Sequence, residues 1–251
     1  MVFKRIMPCL LIKNKRLVKT KKFKNPSYIG DPINALKIYN EKEVDELVLL
    51  DINASKSNSN INFELITDFA AECFMPLAYG GGVKTLSDFK KLYRLGIEKV
   101  IVNTLIFDDS EVIKAAVHNY GSQSVIVSID VTKNKNGKYE IHSHSKRKNR
   151  KPIEDFIKHT LSLGIGEIML TSIDREGTWR GYDLELLDYV NKLVDIPLIA
   201  NGGCGNINDL KNVLYGTNIQ AAAIGSMAVY QKKDTGVLIK FPKREQIIVN
   251  E

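Results

Sequence analysis

Long apolar runs are missing from this 251-residue chain, and no stretch reaches the ~18 apolar residues of a membrane-spanning helix. Cysteine is scarce. Cys9, Cys73 and Cys204 are odd in number and far apart, which argues against a disulfide framework or a metal site and points to the cytoplasm. A leader peptide is also not expected. Lys4 and Arg5 precede an apolar stretch, but Pro8 interrupts it, Lys13 follows at once, and no small-residue cleavage site appears. Residues 5–12 therefore read as a buried strand. What is present is ordinary for a globular protein: 44% hydrophobic and 26% charged residues, which excludes disorder and collagen-like structure. An eight-stranded α/β barrel needs ~250 residues as one unit, so a single domain over residues 1–251 is expected.

Negative charge is in deficit. The formal net charge is +7, and the excess is local. One cluster holds Lys13, Lys15, Arg16, Lys19, Lys21, Lys22 and Lys24. The other holds Lys133, Lys135, Lys138, Lys146, Arg147, Lys148, Arg150 and Lys151. Solvated loops and contacts to an anionic ligand are both open readings. Nucleic acid is not expected as a partner, because aromatic stacking platforms and recognisable binding motifs are absent.

Short β-branched apolar runs fall at 5–12, 47–52, 77–79, 100–102, 125–130, 168–171, 198–200 and 221–224. They are apolar throughout rather than alternating, as parallel strands buried on both faces should be. Helical patterns lie between them. Asp31-Pro32 reads as an N-cap with proline in the first turn, Thr85-x-x-Asp88 as a capping box, and 110–120, 153–163 and 184–193 as further helices. The last helix is weakly marked, because 236–242 reads as extended. The chain also repeats itself. Residues 45–53 align with 166–174 and 76–92 with 197–213, both 121 positions later, and 97–106 with 219–228. The predicted fold is a (β/α)8 barrel built from two half-barrels, approximately 1–120 and 121–240.

Each half offers a place for an anion. Gly80, Gly81 and Gly82 follow the third strand and Gly202 and Gly203 the seventh, while Asn103-Thr104 and Gly225-Ser226 follow the fourth and eighth. Glycines let backbone N–H groups approach a phosphate, and a helix N-terminus adds a favourable dipole. Glycines also simply permit tight turns. The duplicated pairing favours two anion sites, suited to an elongated ligand phosphorylated at both ends.

Residues 5–10 (RIMPCL), Gly30-Asp31-Pro32, 45–51 (DELVLLD), the Gly80 triplet, Gly121-Ser122-Gln123 and 171–177 (TSIDREG) together resemble the HisF family, the cyclase subunit of imidazole glycerol phosphate synthase. The similarity runs from about Lys4 to Met227. It implies a (β/α)8 barrel paired with a HisH-like glutaminase at its bottom. Ammonia crosses the core to a bis-phosphorylated ribosyl-aminoimidazole-carboxamide substrate at the top, and no cofactor or metal is called for. The family's cyclase uses two aspartates. Asp130 matches one, but Leu11 stands at the other position, and leucine cannot move a proton. Asp51 and Glu176 are substitute acids on the same face. Arg5, Glu46, Lys99 and Glu167 match the charged ring at the family's ammonia gate, and this match of all four positions favours a tunnel entrance over a ring that only plugs the barrel bottom.

Two upper-face departures stand out. Ser145-Lys146-Arg147-Lys148 replaces a glycine-containing loop, and Trp179-Arg180 replaces a Lys-Ser pair. Trp179 and Arg180, with Lys19, are candidate contacts to substrate or partner, although Trp179 could equally cap a core edge. Residues 9–20, 23–26 and 237–242 resemble a divergent HisF branch that supplies ammonia to a separate sugar amidotransferase making acetamidino sugars for bacterial surface glycans. The expected function is therefore ammonia channelling with crippled cyclase chemistry. A working histidine-pathway cyclase is the second expectation.

Overall fold

The computed structural model describes residues 4–54, 60–143 and 152–247. Eight parallel strands close into a barrel in the order β1 (Arg5–Lys13), β4 (Leu47–Asp51), β5 (Leu77–Gly80), β6 (Lys99–Val102), β7 (Val125–Lys133), β9 (Glu167–Ser172), β10 (Leu198–Asn201) and β11 (Ala221–Ile224). Pairing of Arg5 with Ala221 and of Pro8 with Ile224 closes the ring. Helices follow the strands: α1 (Pro32–Glu41), α2 (Phe63–Glu72), α3 (Leu86–Arg94), α4 (Leu105–Asp108) with α5 (Ser110–Tyr120), α6 (Ile153–Leu161), α7 (Leu184–Asn191), α8 (Ile207–Leu214) and α9 (Ser226–Val229).

The start signals act as their chemistry dictates. Asp31 accepts from the Asn34 N–H ahead of α1, with Pro32 in the first turn. Thr85 and Asp88 form the reciprocal capping box of α3, and Asn206 and Asp209 form its counterpart on α8, 121 residues on. Such a cap contributes about 1 kcal/mol. The amphipathic helices bury their inner stripe against the strands. Phe89 and Leu92 of α3 are fully buried, each contributing roughly 1.5–3 kcal/mol. Inside the barrel a second apolar cluster runs from Met7, Val48, Ala78 and Ile126 up to Cys9, Leu11 and Ile101.

Two features differ from the sequence reading. The first basic cluster is a β-hairpin rather than a loop: β2 (Arg16–Lys21) pairs antiparallel with the upper part of β1 and with β3 (Lys24–Gly30). Leu17 to Thr20 are buried on both faces, so the strand shows no alternation to read. The second cluster begins on a matching hairpin, β7 with β8 (Tyr139–His142), where Lys133, Lys135 and Lys138 are exposed. Its remaining members, Lys146, Arg147, Lys148, Arg150 and Lys151, lie outside the described residues. The last helix is as weak as its sequence suggests, a single turn after which Val237 bridges back to Tyr230.

Candidate functional site

One cavity occupies the mouth of the barrel at the C-terminal ends of the strands, with about 1300 Å³ of empty space including its open side. The register sets its floor. Leu11 pairs with Leu50, and Asp130 pairs with Thr171 on the opposite wall. All four residues line the cavity, as do Asp51, Glu176, Lys19 and every residue of the two expected anion cradles. Sequence spacing alone could not have shown that they share one space.

Asp130 is buried and receives a hydrogen bond from Asn103 Nδ2 at 3.0 Å. The same amide nitrogen donates to the Ser128 carbonyl at 2.9 Å. Two acceptors on one nitrogen fix the amide, so Oδ1 is the remaining group, and it is buried without a protein partner among the described residues. That oxygen can only accept, so it has no hydrogen bond to offer a phosphate oxygen. Any phosphate at Asn103-Thr104 is therefore held by backbone N–H groups, not by the Asn103 side chain.

Glu176 and Asp51, the two acids expected on the same face, differ in how their oxygens are engaged. Both carboxylate oxygens of Glu176 are engaged: Oε1 accepts from Thr20 Oγ1 at 2.9 Å and Oε2 from the Phe23 N–H at 3.0 Å. Asp51 Oδ1 accepts from the N–H groups of Asn53 and Ala54, an Asx turn at the end of β4, while Oδ2 has no protein partner among the described residues. Asp51 therefore lines the cavity with one carboxylate oxygen that no described residue engages.

The glycines have strong backbone reasons to be glycine. Gly81 and Gly82 have φ of 119° and 74°, and Gly202 and Gly203 have 93° and 109°. A Cβ on Gly81 would sit 2.4 Å from the Asp51 carbonyl, and one on Gly203 only 2.2 Å from that of Gly181. Among the described residues no protein acceptor meets the N–H of Gly82, Thr104 or Gly203, leaving them available to an anion. The helix contribution is smaller than expected, for two reasons. The α3 and α8 N-termini are filled by their own Asp88 and Asp209 caps, and α4 and α9 are one turn each. Gly225 has φ of −106° and faces a different neighbour: a Cβ there would meet Lys19 Nζ at 2.6 Å, beside Ser226.

Lys19 is only 5% exposed and donates to the Cys9 carbonyl at 2.7 Å. Burial lowers its pKa, while nearby Cys9 and Glu176 pull the other way. Burial likewise pushes the Cys9 thiol up, and the Cys204 thiol to about 12, so neither is a reactive thiolate. All three cysteines are free.

Trp179 and Arg180 stand apart from this cavity. Trp179, at φ 61°, is half-buried and packs on the edge of the outer core. Arg180 is exposed and points to the Asp174 carbonyl. Trp179 thus takes the core-edge position, outside the lining of the cavity. The substituted loop at 145–148 lies outside the described residues.

At the opposite end the four charged residues close into one ring. Arg5 contacts Glu46 at 2.7 Å and Glu167 at 2.6 Å, and Lys99 contacts the same two carboxylates at 2.9 and 2.8 Å. Glu46 is 2% exposed, and its Oε1 has no protein partner among the described residues. Two cations and two anions cancel, which limits the desolvation penalty of such a cluster. Directly above it lies the apolar interior of Met7, Val48, Ala78 and Ala221. Among the described residues no group of side chains could hold a metal ion, and no helix is long and apolar enough to cross a membrane.

Known proteins bear on this arrangement. Residues 5–235 match the family described as histidine biosynthesis protein. The chain is 47% identical to a putative imidazole glycerol phosphate synthase subunit hisF2 of Pseudomonas aeruginosa, over 96% of this chain and 97% of that protein. A putative HisF subunit of Leptospira interrogans is 43% identical over 96% of each chain. The imidazole glycerol phosphate synthase subunit HisF of Lactococcus lactis strain IL1403 is 41% identical over 92% of this chain and 90% of its own length. A closed parallel barrel, a matching profile over nearly the whole chain and relatives at this identity place the protein in the HisF family of histidine biosynthesis proteins.

Proposed function

We propose that this HisF-type chain is the ammonia-channelling synthase subunit of a glutamine amidotransferase complex, with its own cyclase step largely lost. A HisH-like glutaminase docks at the bottom face and releases ammonia at the Arg5–Glu46–Lys99–Glu167 ring. The neutral molecule then crosses the apolar barrel interior to the upper cavity. From there it passes to a separate sugar amidotransferase that makes an acetamidino sugar for surface glycans.

The observation that carries this reading is Leu11 facing the same cavity as Asp130. Cyclisation with cleavage needs one group to give a proton and another to take one. Each contributes ~10²–10⁴-fold when correctly placed. Here one member of the pair is a hydrocarbon, while the four-residue ring is complete. The anion cradles remain, so a phosphorylated small molecule is a fitting ligand.

A second reading, a working cyclase, is favoured by one observation: Asp51 lines the cavity with one oxygen that has no partner among the described residues. Relatives named as imidazole glycerol phosphate synthase subunits fit it too. Reconstitution separates the two. The chain, a HisH-like glutaminase and the sugar amidotransferase together should form acetamidino sugar from glutamine, and omission of this chain should abolish it. Unchanged product without this chain would defeat the first reading.

A further inference from the structure

Glu176 does something no acid at an active site needs to do. It lies in the turn between β9 and α7, yet every polar atom of its side chain is bound to the β2–β3 hairpin, more than 150 residues away in sequence. Oε1 takes the Thr20 hydroxyl and Oε2 the Phe23 N–H, and its main-chain carbonyl takes the Lys22 N–H at 3.0 Å. Gly177 lets the hairpin seat there. Its φ is 67°, and a Cβ would lie 2.4 Å from the Thr20 carbonyl and 2.9 Å from Lys21 Cα.

The neighbouring residue is the one that matters. Lys19 directly precedes Thr20 and lines the same cavity as Glu176, so seating Thr20 on Glu176 fixes the backbone that carries Lys19. Lys19 Nζ then rests on the Cys9 carbonyl, against the Gly225 backbone. We propose that Glu176 is a positioning residue that latches the β2–β3 hairpin across the barrel mouth and so holds the Lys19 amine beside the Gly225–Ser226 cradle. The proposal rests on the upper cavity being the ligand site, but its test reads no activity and so stands or falls separately from the proposed function.

The chemistry makes the variants informative. In Glu176→Gln the Thr20 hydroxyl can turn and accept from the new amide, but the Phe23 N–H can be served only by the remaining amide oxygen. One bond of the pair is weakened and the other becomes neutral. Glu176→Ala removes both. Each lost charge-assisted bond corresponds to roughly a tenfold or larger change in an opening equilibrium.

The experiment is hydrogen exchange, with competitive acetylation of Lys19 read by mass spectrometry, on the full chain. Glu176→Ala should raise exchange in residues 16–30 at least roughly tenfold, leave the core strands β6 and β10 unchanged, and speed acetylation of Lys19 selectively. Glu176→Gln should fall between it and the native chain. Should Glu176→Ala fail to fold, Thr20→Val removes one bond of the same latch and is read the same way. Inorganic phosphate binding should weaken in step with Lys19 exposure. Unchanged exchange and acetylation, or a rise spread evenly over the barrel, would overturn the assignment and leave Glu176 as an ordinary turn residue.

Discussion

Leu11 and Asp130 occupy equivalent stations in the two halves of the barrel. Leu11 pairs with Leu50 on the adjacent strand and Asp130 with Thr171, and positions 50 and 171 are 121 residues apart, the period of the repeat. A carboxylate on one side of the cavity thus faces a hydrocarbon on the other.

Leu11→Asp is expected to raise ammonia-driven turnover of the bis-phosphorylated substrate at least tenfold above native background, a fraction of the ~10²–10⁴ available from one proton-transfer group. It should also cost about 1–3 kcal/mol of stability, because Leu11 is 8% exposed and packs on Cys9 and Ile101. Denaturant unfolding and initial rates check both. Unaltered turnover would mean that the missing carboxylate is not what limits the reaction.

Lys99→Ala leaves Glu46 and Glu167 with Arg5 alone. The loss should stay below the ~3–5 kcal/mol of a fully buried broken pair, since Lys99 keeps 17% side-chain exposure. A Tm lower by several degrees is expected. In the assembled complex, product formed from glutamine should fall more than product formed from ammonium salt. Equal losses would reduce the ring to a structural plug.

Lys19 sets a pH signature. Its folded pKa is lowered by burial below the unfolded value near 10.5, so the unfolded chain binds more protons in that window. Stability from this group therefore rises as pH climbs from the lowered value to 10.5, and the burial penalty is fully present below it. Lys19→Met should gain stability relative to the native chain at neutral pH and lose that gain toward pH 10. Urea unfolding across pH 7–10 measures it, and a pH-independent difference would contradict the argument.

Gly203→Ala and Gly225→Ala should differ. The first forces a Cβ against the Gly181 carbonyl at a left-handed φ and should cost ~1–3 kcal/mol. The second meets only the end of a flexible lysine at an ordinary φ. It should fold normally but weaken binding of inorganic phosphate by displacing Lys19. Calorimetric titration with phosphate separates the two.

The barrel was legible because its strands are unbroken apolar runs and its helix starts carry explicit caps at Asp31 and Thr85. The ring at Arg5, Glu46, Lys99 and Glu167 was legible only through resemblance, since four charges spread over 162 positions have no local pattern. The β2–β3 hairpin escaped notice because Leu17 to Thr20 are buried on both faces among surface lysines. Helix α2 was missed because only Ile66 and Phe69 are buried, too few to mark a period. The role of Glu176 depends on contacts across more than 150 residues, which spacing does not record.

The measurement that bears most directly on the account is turnover of the bis-phosphorylated ribosyl-aminoimidazole-carboxamide by the purified native chain in excess ammonium salt at mildly alkaline pH. The route through the ring is bypassed, so only the chemistry of the upper cavity is read. Leu11 opposite Asp130 predicts a rate at or near background, with the chain folded and still able to bind phosphate. Robust turnover under those conditions would contradict it and make Asp51 the acid of a working cyclase.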